Sequence, residues 1–348
     1  MKKTLAVVAV LSAFAGSALA DVTLYGKMDM GLKYTDATGA DPAWALESGT
    51  GGASRLGLKG SEKINDDLTV GFKLEKTIYS DTGAEKNDTF DRASYMYADT
   101  SYGKFVFGRT STIMSDAAEG MHAEVADVFG TGTKGISMAG DVSPARVDNA
   151  IMYKSPVFAG FQVGAQYATD GKAKENTSKD TRYYGAVAQY KAGDLAVSLG
   201  VDMLNRASVP AATPAVEDQY NVGLGGTYDF GFMKASIGAN YFKHAELAVN
   251  KLLDAGEKIK DVDGYGIALG AKVPALGGEI GVGLNYTSAE ENLNLKREYT
   301  RYNVGTYYTY KLSKSTSVYA AAAANKYELD GAKDYEAYEA RAGMQINF

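Results

Sequence analysis

The chain has 348 residues, enough for one large domain or two modest ones, and a formal net charge of −6 at pH 7. That acidic balance argues against a nucleic-acid partner, and the absence of cysteine excludes a disulfide framework. With only two histidines there is no zinc-type ligand set, so neither a metal nor a cofactor is expected.

The first twenty residues read as a secretory signal. Lys2 and Lys3 precede an apolar run from Thr4 to Ala15, and Ala18-Leu19-Ala20 forms an A-x-A-like cleavage site. The expected organisation is therefore a cleaved segment, 1–20, and one domain, 21–348. After Ala20 no apolar run approaches the roughly 18–20 residues that a membrane helix needs.

From Asp21 onward the chain carries a period of two instead. Val22, Leu24, Met28, Met30 and Leu32 alternate with Thr23, Lys27, Asp29 and Lys33. Leu56 and Leu58 alternate with Arg55, Gly57 and Lys59, and Leu68 to Leu74 with Thr69 to Glu75. Next, Ala93, Tyr95 and Tyr97 are assigned to the apolar stripe, opposite Arg92, Ser94 and Met96; Phe105 and Phe107 come after them. Val147, Ile151 and Tyr153 face away from Arg146, Asp148 and Lys154, and Phe161 to Tyr167 away from Gln162 and Gln166.

The second half repeats the style through Tyr184–Tyr190, Leu195–Val201, Tyr220–Tyr228, Met233–Tyr241, Tyr265–Val273, Ile280–Tyr286, Tyr302–Tyr310 and Val318–Ala324. It ends in an alternating strand from Tyr338 to Phe348. A helix would mix these two residue classes on one face, so the elements are strands. Counted along the chain they number sixteen, an even number that lets a barrel close.

Short connections with turn chemistry, such as Asn65-Asp66-Asp67 and Lys191-Ala192-Gly193-Asp194, alternate with long polar ones. The long stretches are 35–53, 80–89, 110–145, 169–181, 203–218, 243–262, 287–297 and 325–334. Tyr184 with Tyr190, Tyr302 with Tyr310, and Tyr265 with Tyr286 are placed as interfacial aromatic girdles. The fold class is all-β: a 16-stranded antiparallel transmembrane β-barrel.

At this point the residues resemble a known family. Val22-Thr23-Leu24-Tyr25-Gly26-Lys27, Ser54-Arg55-Leu56-Gly57-Leu58-Lys59-Gly60, Phe105-Val106-Phe107-Gly108-Arg109, Arg146-Val147-Asp148-Asn149 and the terminal Phe348 are similar in order and spacing to the general porin family of Gram-negative outer membranes. The resemblance implies a homotrimer, one channel per barrel, and a third loop folded into the lumen. It makes Phe348 a signal to the outer-membrane assembly machinery. The 110–145 connection, longest in the chain, is the loop concerned.

Strand parity points Lys27, Arg55, Arg92 and Arg146 inward from neighbouring strands, where the family resemblance also puts a basic ladder. Facing it, the resemblance implies carboxylates from the third loop, here Asp116, Glu119, Glu124 and Asp127. The family has proline and glutamate before the Phe-Gly of this loop; here Asp127-Val128 precede Phe129-Gly130, which leaves open which carboxylates line the gap.

The expected function is a water-filled pore for passive diffusion of ions and small hydrophilic solutes. A substrate-specific channel, which would need a line of aromatics or a one-sign funnel, remains an alternative. So does a surface adhesin or phage receptor built on the long loops. Lipopolysaccharide is an expected neighbour of those loops, whose Glu290-Glu291 and the pair Asp261 and Asp263 would face divalent ions that bridge it. His122 and His244 have no serine or acid at a recognisable motif spacing, so no enzyme is expected. Gly223, Gly225 and Gly226 fall mid-strand and are read as small residues that keep the lumen open.

Overall fold

The computed structural model describes residues 21–86, 89–115, 119–123, 142–170, 180–206, 217–248, 258–293 and 296–348. Strands form wherever the period of two runs. In chain order the first half carries β1 (Thr23–Ala37), β2 (Ala43–Ser48), β3 (Arg55–Asn65), β4 (Leu68–Thr77), β5 (Ala93–Thr100), β6 (Gly103–Ser111), β7 (Arg146–Lys154) and β8 (Phe161–Thr169). The second half adds β9 (Arg182–Ala192), β10 (Leu195–Asn205), β11 (Gln219–Asp229), β12 (Lys234–Ala248), β13 (Lys258–Ala275), β14 (Gly278–Glu291), β15 (Glu298–Lys311), β16 (Thr316–Leu329) and β17 (Tyr335–Asn347).

Chain neighbours pair antiparallel except β2 with β3, which both pair with β1, and β17 pairs with β1 from Lys27↔Asn347 to Ala37↔Ala337, so the sheet closes on itself. β2 and β3 occupy one place in this ring. β2 pairs with Met30–Thr35 of β1 and β3 with Thr23–Lys27, with residues 49–54 between them leaving the wall. The ring therefore has sixteen positions, as the period implied. At the seam the Phe348 ring lies over Gly26, where any Cβ would collide with it, and the two residues exchange backbone hydrogen bonds at 2.9 and 3.1 Å.

The outward face is apolar on alternate residues, among them Leu24, Met28, Phe107, Val163, Leu199, Leu224, Ile267 and Val304, all exposed. Such a band is stable only against lipid. Tyr265, Tyr286 and Tyr302 form a row on adjacent strands with ring centroids 6.1 and 5.3 Å apart, and Phe161 lies 4.5 Å from Tyr190 near the short-turn end. These rows are the two girdles.

Three expectations need correction. The stretch 35–53 is not all loop, because β2 lies within it. Long stretches 243–262, 287–297 and 325–334 are also partly strand: β12, β14 and β16 run on to Ala248, Glu291 and Leu329. Ladder hydrogen bonds continue there after the apolar alternation that signals lipid contact has ended.

The third correction is the face of β5. Tyr95 is opposite Lys73, and Ala93 opposite Glu75, and opposed residues share a face. Ala93 and Tyr95 are therefore inside, both buried, while Met96 is 65% exposed beside Phe72 and Phe107. Apolar character misled here because the third loop gives this strand something apolar to pack on inside: Ile113, Met114 and Met121 cluster with Ala93 and Tyr95.

The two assignments of β5 differ in energy. Met96→Arg is expected to destabilise the folded barrel by about 2–4 kcal/mol, the cost of an arginine near the bilayer midplane, and Met96→Leu to be neutral. Urea unfolding from lipid vesicles, followed by fluorescence of Trp44, the single tryptophan, reads the difference.

Candidate functional site

The inner wall from β1 to β7 is basic, and its geometry follows from register. Lys27 is paired with Arg55 across β1–β3, and Lys59 with Lys73 across β3–β4. Glu75, paired with Gly57, sits between these two rows. It accepts a hydrogen bond from Arg92 Nε at 2.6 Å and one from the Tyr25 hydroxyl at 2.8 Å, with Lys73 Nζ at 3.4 Å.

Arg92 does not lie on a strand. It precedes β5 in a bend that Asp91 fixes: the Asp91 carboxylate accepts from Thr77 N and Thr77 Oγ1, both at 2.7 Å, and Arg109 donates to its carbonyl at 2.9 and 2.7 Å. The bend turns Arg92 into the lumen. Arg146 Nε donates to the Arg92 carbonyl at 3.0 Å, which completes the row. All four basic residues expected from parity thus share one wall. Lys27 Nζ donates to Gln345 Oε1 at 3.1 Å, a neutral partner.

Of the four loop carboxylates, Asp116, Glu124 and Asp127 lie outside the described residues. Glu119 is described, and it is not opposite the basic wall. It is almost fully buried and holds Lys104 at 2.7 Å, Lys154 at 2.5 Å and the Tyr95 hydroxyl at 2.9 Å. Burial pushes its carboxyl up, but the two ammonium groups and their hydrogen bonds outweigh that and hold it at about 2. Breaking one side of such a buried pair costs about 3–5 kcal/mol, so Glu119 acts as a latch for the loop.

The latch is one of several. Gln166 on β8 accepts from Ile113 N at 2.7 Å and donates to Ser111 O at 3.0 Å; Gln189 on β9 donates to Met121 O; Ser198 Oγ on β10 is 3.0 Å from His122 Nδ1. The returning limb is tied to β11, where Gln219 donates to Val142 O at 2.8 Å and Asn221 to Ser143 Oγ at 3.0 Å. Close approach needs a flat bed. A Cβ on Gly164 would meet Met121 Sδ at 2.6 Å, on Gly200 Met114 Sδ at 2.5 Å, and on Gly223 His122 Nε2 at 2.5 Å. Gly223 therefore does not keep the lumen open; it makes room for the loop.

The structure does bring a serine to His122. Both side chains are buried, however, and Nε2 has no partner among the described residues, so no acid orients the ring. The pair docks a loop. Burial holds the His122 imidazole down at about 4. His244 in turn bonds Asp261 at 2.7 Å, and Asn292 donates to Asp261 at 3.1 Å and Asp263 at 2.8 Å. Those two acids are thus partnered within the rim.

The wall facing the basic side is rich in carboxamides, among which Arg301 on β15 donates to Asn285 Oδ1 at 3.2 Å. Asn285 is paired with Asn303 and Asn303 with Asn325, and Asn240 donates to Asn221 at 3.1 Å, giving a carboxamide belt across β11 to β16. No motif announced this belt. Lys59, Lys73 and Glu75 were legible as inward residues by parity but were not singled out.

Comparison with known proteins agrees with this architecture. A family model described as Gram-negative porin matches residues 6–330. An outer membrane porin protein of Bordetella pertussis is 30% identical over 92% of this chain and 93% of its own length. Outer membrane porin protein 32 of Delftia acidovorans is 32% identical over 92% of this chain and 88% of its own length. Among solved structures, the anion-selective porin from Comamonas acidovorans superposes with a TM-score of 0.73 at 26% identity, covering 95% of this chain and 100% of that one.

Of the described loop residues, Glu119 and His122 both favour the deprotonated form when docked, so acid opposes docking through them. The His122 contribution is complete above its ordinary 6.5 and is lost as pH falls towards 4; that of Glu119 is complete above 4.5 and is lost towards 2. Hydrogen exchange of the amides of 113–115 and 119–123, corrected for intrinsic rate, is expected to accelerate between pH 6.5 and 4. His122→Gln should abolish that step and leave the lower one.

Proposed function

Because this chain belongs to the Gram-negative porin family and forms an outer-membrane channel for passive diffusion, we propose that it conducts anions in preference to cations. The observation that carries the reading is the unequal fate of the two charge signs in the lumen. Three inward carboxylates are ion-paired, Glu75 with Arg92 and Lys73, Glu119 with Lys104 and Lys154, and Glu339 with Arg341, whereas Asp29 is held by neutral donors. On the basic wall, among the described residues, no carboxylate bonds Lys27, Arg55 or Lys59.

Fixed positive charge lining a wet passage raises the local concentration of anions, and a channel conducts best when no solute is held tightly. The carboxamide belt opposite offers donors and acceptors without charge, which keeps water and hydrophilic solutes in the gap. The similarity to a porin described as anion-selective supports the same reading.

The rest of the reading rests on the family. The mature chain is 21–348 after cleavage behind Ala20, it assembles as a homotrimer, and Phe348 is read by the outer-membrane assembly machinery. Lipopolysaccharide surrounds the long-loop rim. Lys27, Arg55, Arg92 and Arg146 form the selecting wall, the family resemblance assigns Asp116, Glu124 and Asp127 as the loop carboxylates opposed to it, and Glu119 holds the loop. No chemical step is part of this function.

Planar-bilayer recording of the purified trimer under a potassium chloride gradient tests it. The expected result is ohmic conductance in three equal steps with a reversal potential on the chloride side. Arg55→Glu and Arg146→Glu should each move that potential towards potassium. A native reversal potential on the potassium side would overturn the preference while leaving the channel itself standing.

A further inference from the structure

The break in the second strand position is a built element. Residues 49–54, Gly-Thr-Gly-Gly-Ala-Ser, leave the wall at Gly49, whose φ of +72° lies in the left-handed region that glycine adopts freely. They return at Arg55. The two ends are clasped by a 2.9 Å hydrogen bond between the hydroxyls of Ser48 and Ser54, and Ser54 Oγ also accepts from Asp29 N at 2.9 Å. Gly49 N donates to Asp29 O at 2.9 Å.

Between these ends the segment runs along the inside of the barrel. The Asp29 carboxylate on β1 accepts from Gly51 N at 3.1 Å. Arg341 on β17 donates to Thr50 O at 3.0 Å. The Thr50 hydroxyl bonds the Tyr319 hydroxyl on β16, and Tyr319 also donates to Asp29 at 3.0 Å. The segment lies over β1 and β17 and is tied to β16 through the Tyr319 side chain, which crosses β17 to meet Thr50 and Asp29.

Its bed is glycine again. A Cβ on Gly31 or Gly343 would collide with Thr50 or Tyr319, and one on Gly51 would lie 2.6 Å from Gln345 Nε2. Gln345 is also the residue that accepts from Lys27, so the segment abuts the basic wall directly.

Its place in the ring decides what it can do. β16, β17 and β1 lie half a turn of the ring from β8, β9 and β10, the strands on which the third loop is docked. The basic wall fills the arc between them on one side and the carboxamide belt the arc on the other. We infer that residues 49–54 form a second constriction element, a strap that narrows the pore from the side opposite the third loop and sets its bore together with it. Being uncharged, the strap governs how much passes rather than which sign passes.

The absence of native cysteine makes a clean test possible. Ala53 is the partly exposed residue of the strap, so Ala53→Cys places a single thiol at its surface. Labelling Ala53→Cys trimers in a planar bilayer with a bulky neutral thiol reagent is expected to lower each conductance step by about 1.5-fold or more, as a narrowed aqueous passage requires. The same label on Asp66→Cys, in the exposed β3–β4 turn, should leave it unchanged. Deleting Thr50 to Gly52 should raise the step, with the reversal potential unaltered.

Complete labelling at Ala53→Cys, verified by mass, with unchanged conductance would overturn the strap as a constriction. That outcome is independent of folding in the deletion variant. It is also independent of ion preference, because conductance and reversal potential are separate readings of the same trace.

Discussion

In a bilayer, no backbone amide or carbonyl of the wall can turn to water, so each must be paired by the strand beside it. Closure of β17 on β1 is what makes that possible here, and the rest of the lumen is a consequence. Once register is fixed all the way round, opposed residues share a face, and side chains form rows that cross strands. The Lys27–Arg55 row and the Asn285–Asn303–Asn325 row are two of these, written by one ladder on two sides of the ring. The seam itself is tight because Gly26 yields its Cβ volume to the terminal aromatic ring.

A wall so constrained cannot adjust its own bore, and segments outside the ladder must fill the interior. Both described inward elements are held in the same manner. Polar side chains from inward rows capture their backbone: Gln166 and Gln189 for the third loop, Asp29 and Arg341 for residues 49–54. Inward glycines let each lie close: Gly164, Gly200 and Gly223 beneath one, Gly31 beneath the other, with Gly343 beneath the Tyr319 ring that holds it. Glycine in a strand normally weakens it, so its placement at these contacts is explained by what lies on top.

Sequence made the strands legible because lipid outside and water inside impose a period of two. It failed where that premise fails. On β5 the inside is apolar under the third loop, so Tyr95 and Met96 exchange faces relative to their chemistry. Arg92 points inward through a bend held by Asp91, a tertiary cause that agrees with parity only by coincidence. Glu119 was legible as an acid in the right loop, but its partners Lys104 and Lys154 are distant in sequence and no spacing links them. Residues 49–54 carry no period at all, and by sequence they fall at the end of the long polar stretch 35–53, with nothing in it to announce the contact of Tyr319 with Gly51.

The charge of the chain and the charge that a solute meets are different quantities, and the second controls permeation. A formal net charge of −6 suggests a weak preference for cations. Charges on the rim, however, are screened within about 8 Å at physiological salt, whereas those on the wall face a solute across the gap. Within that range, pairing matters more than counting. Glu75 lies amid the basic wall, yet its field is largely spent on Arg92 and Lys73, and Glu119 is spent on two lysines. What is left for a passing ion is the field of Lys27, Arg55 and Lys59, none of which is hydrogen-bonded to a carboxylate among the described residues, with Asp29 near Lys27 as the one opposing charge beside them. The sign of the passage is therefore set by which charges the fold leaves uncompensated.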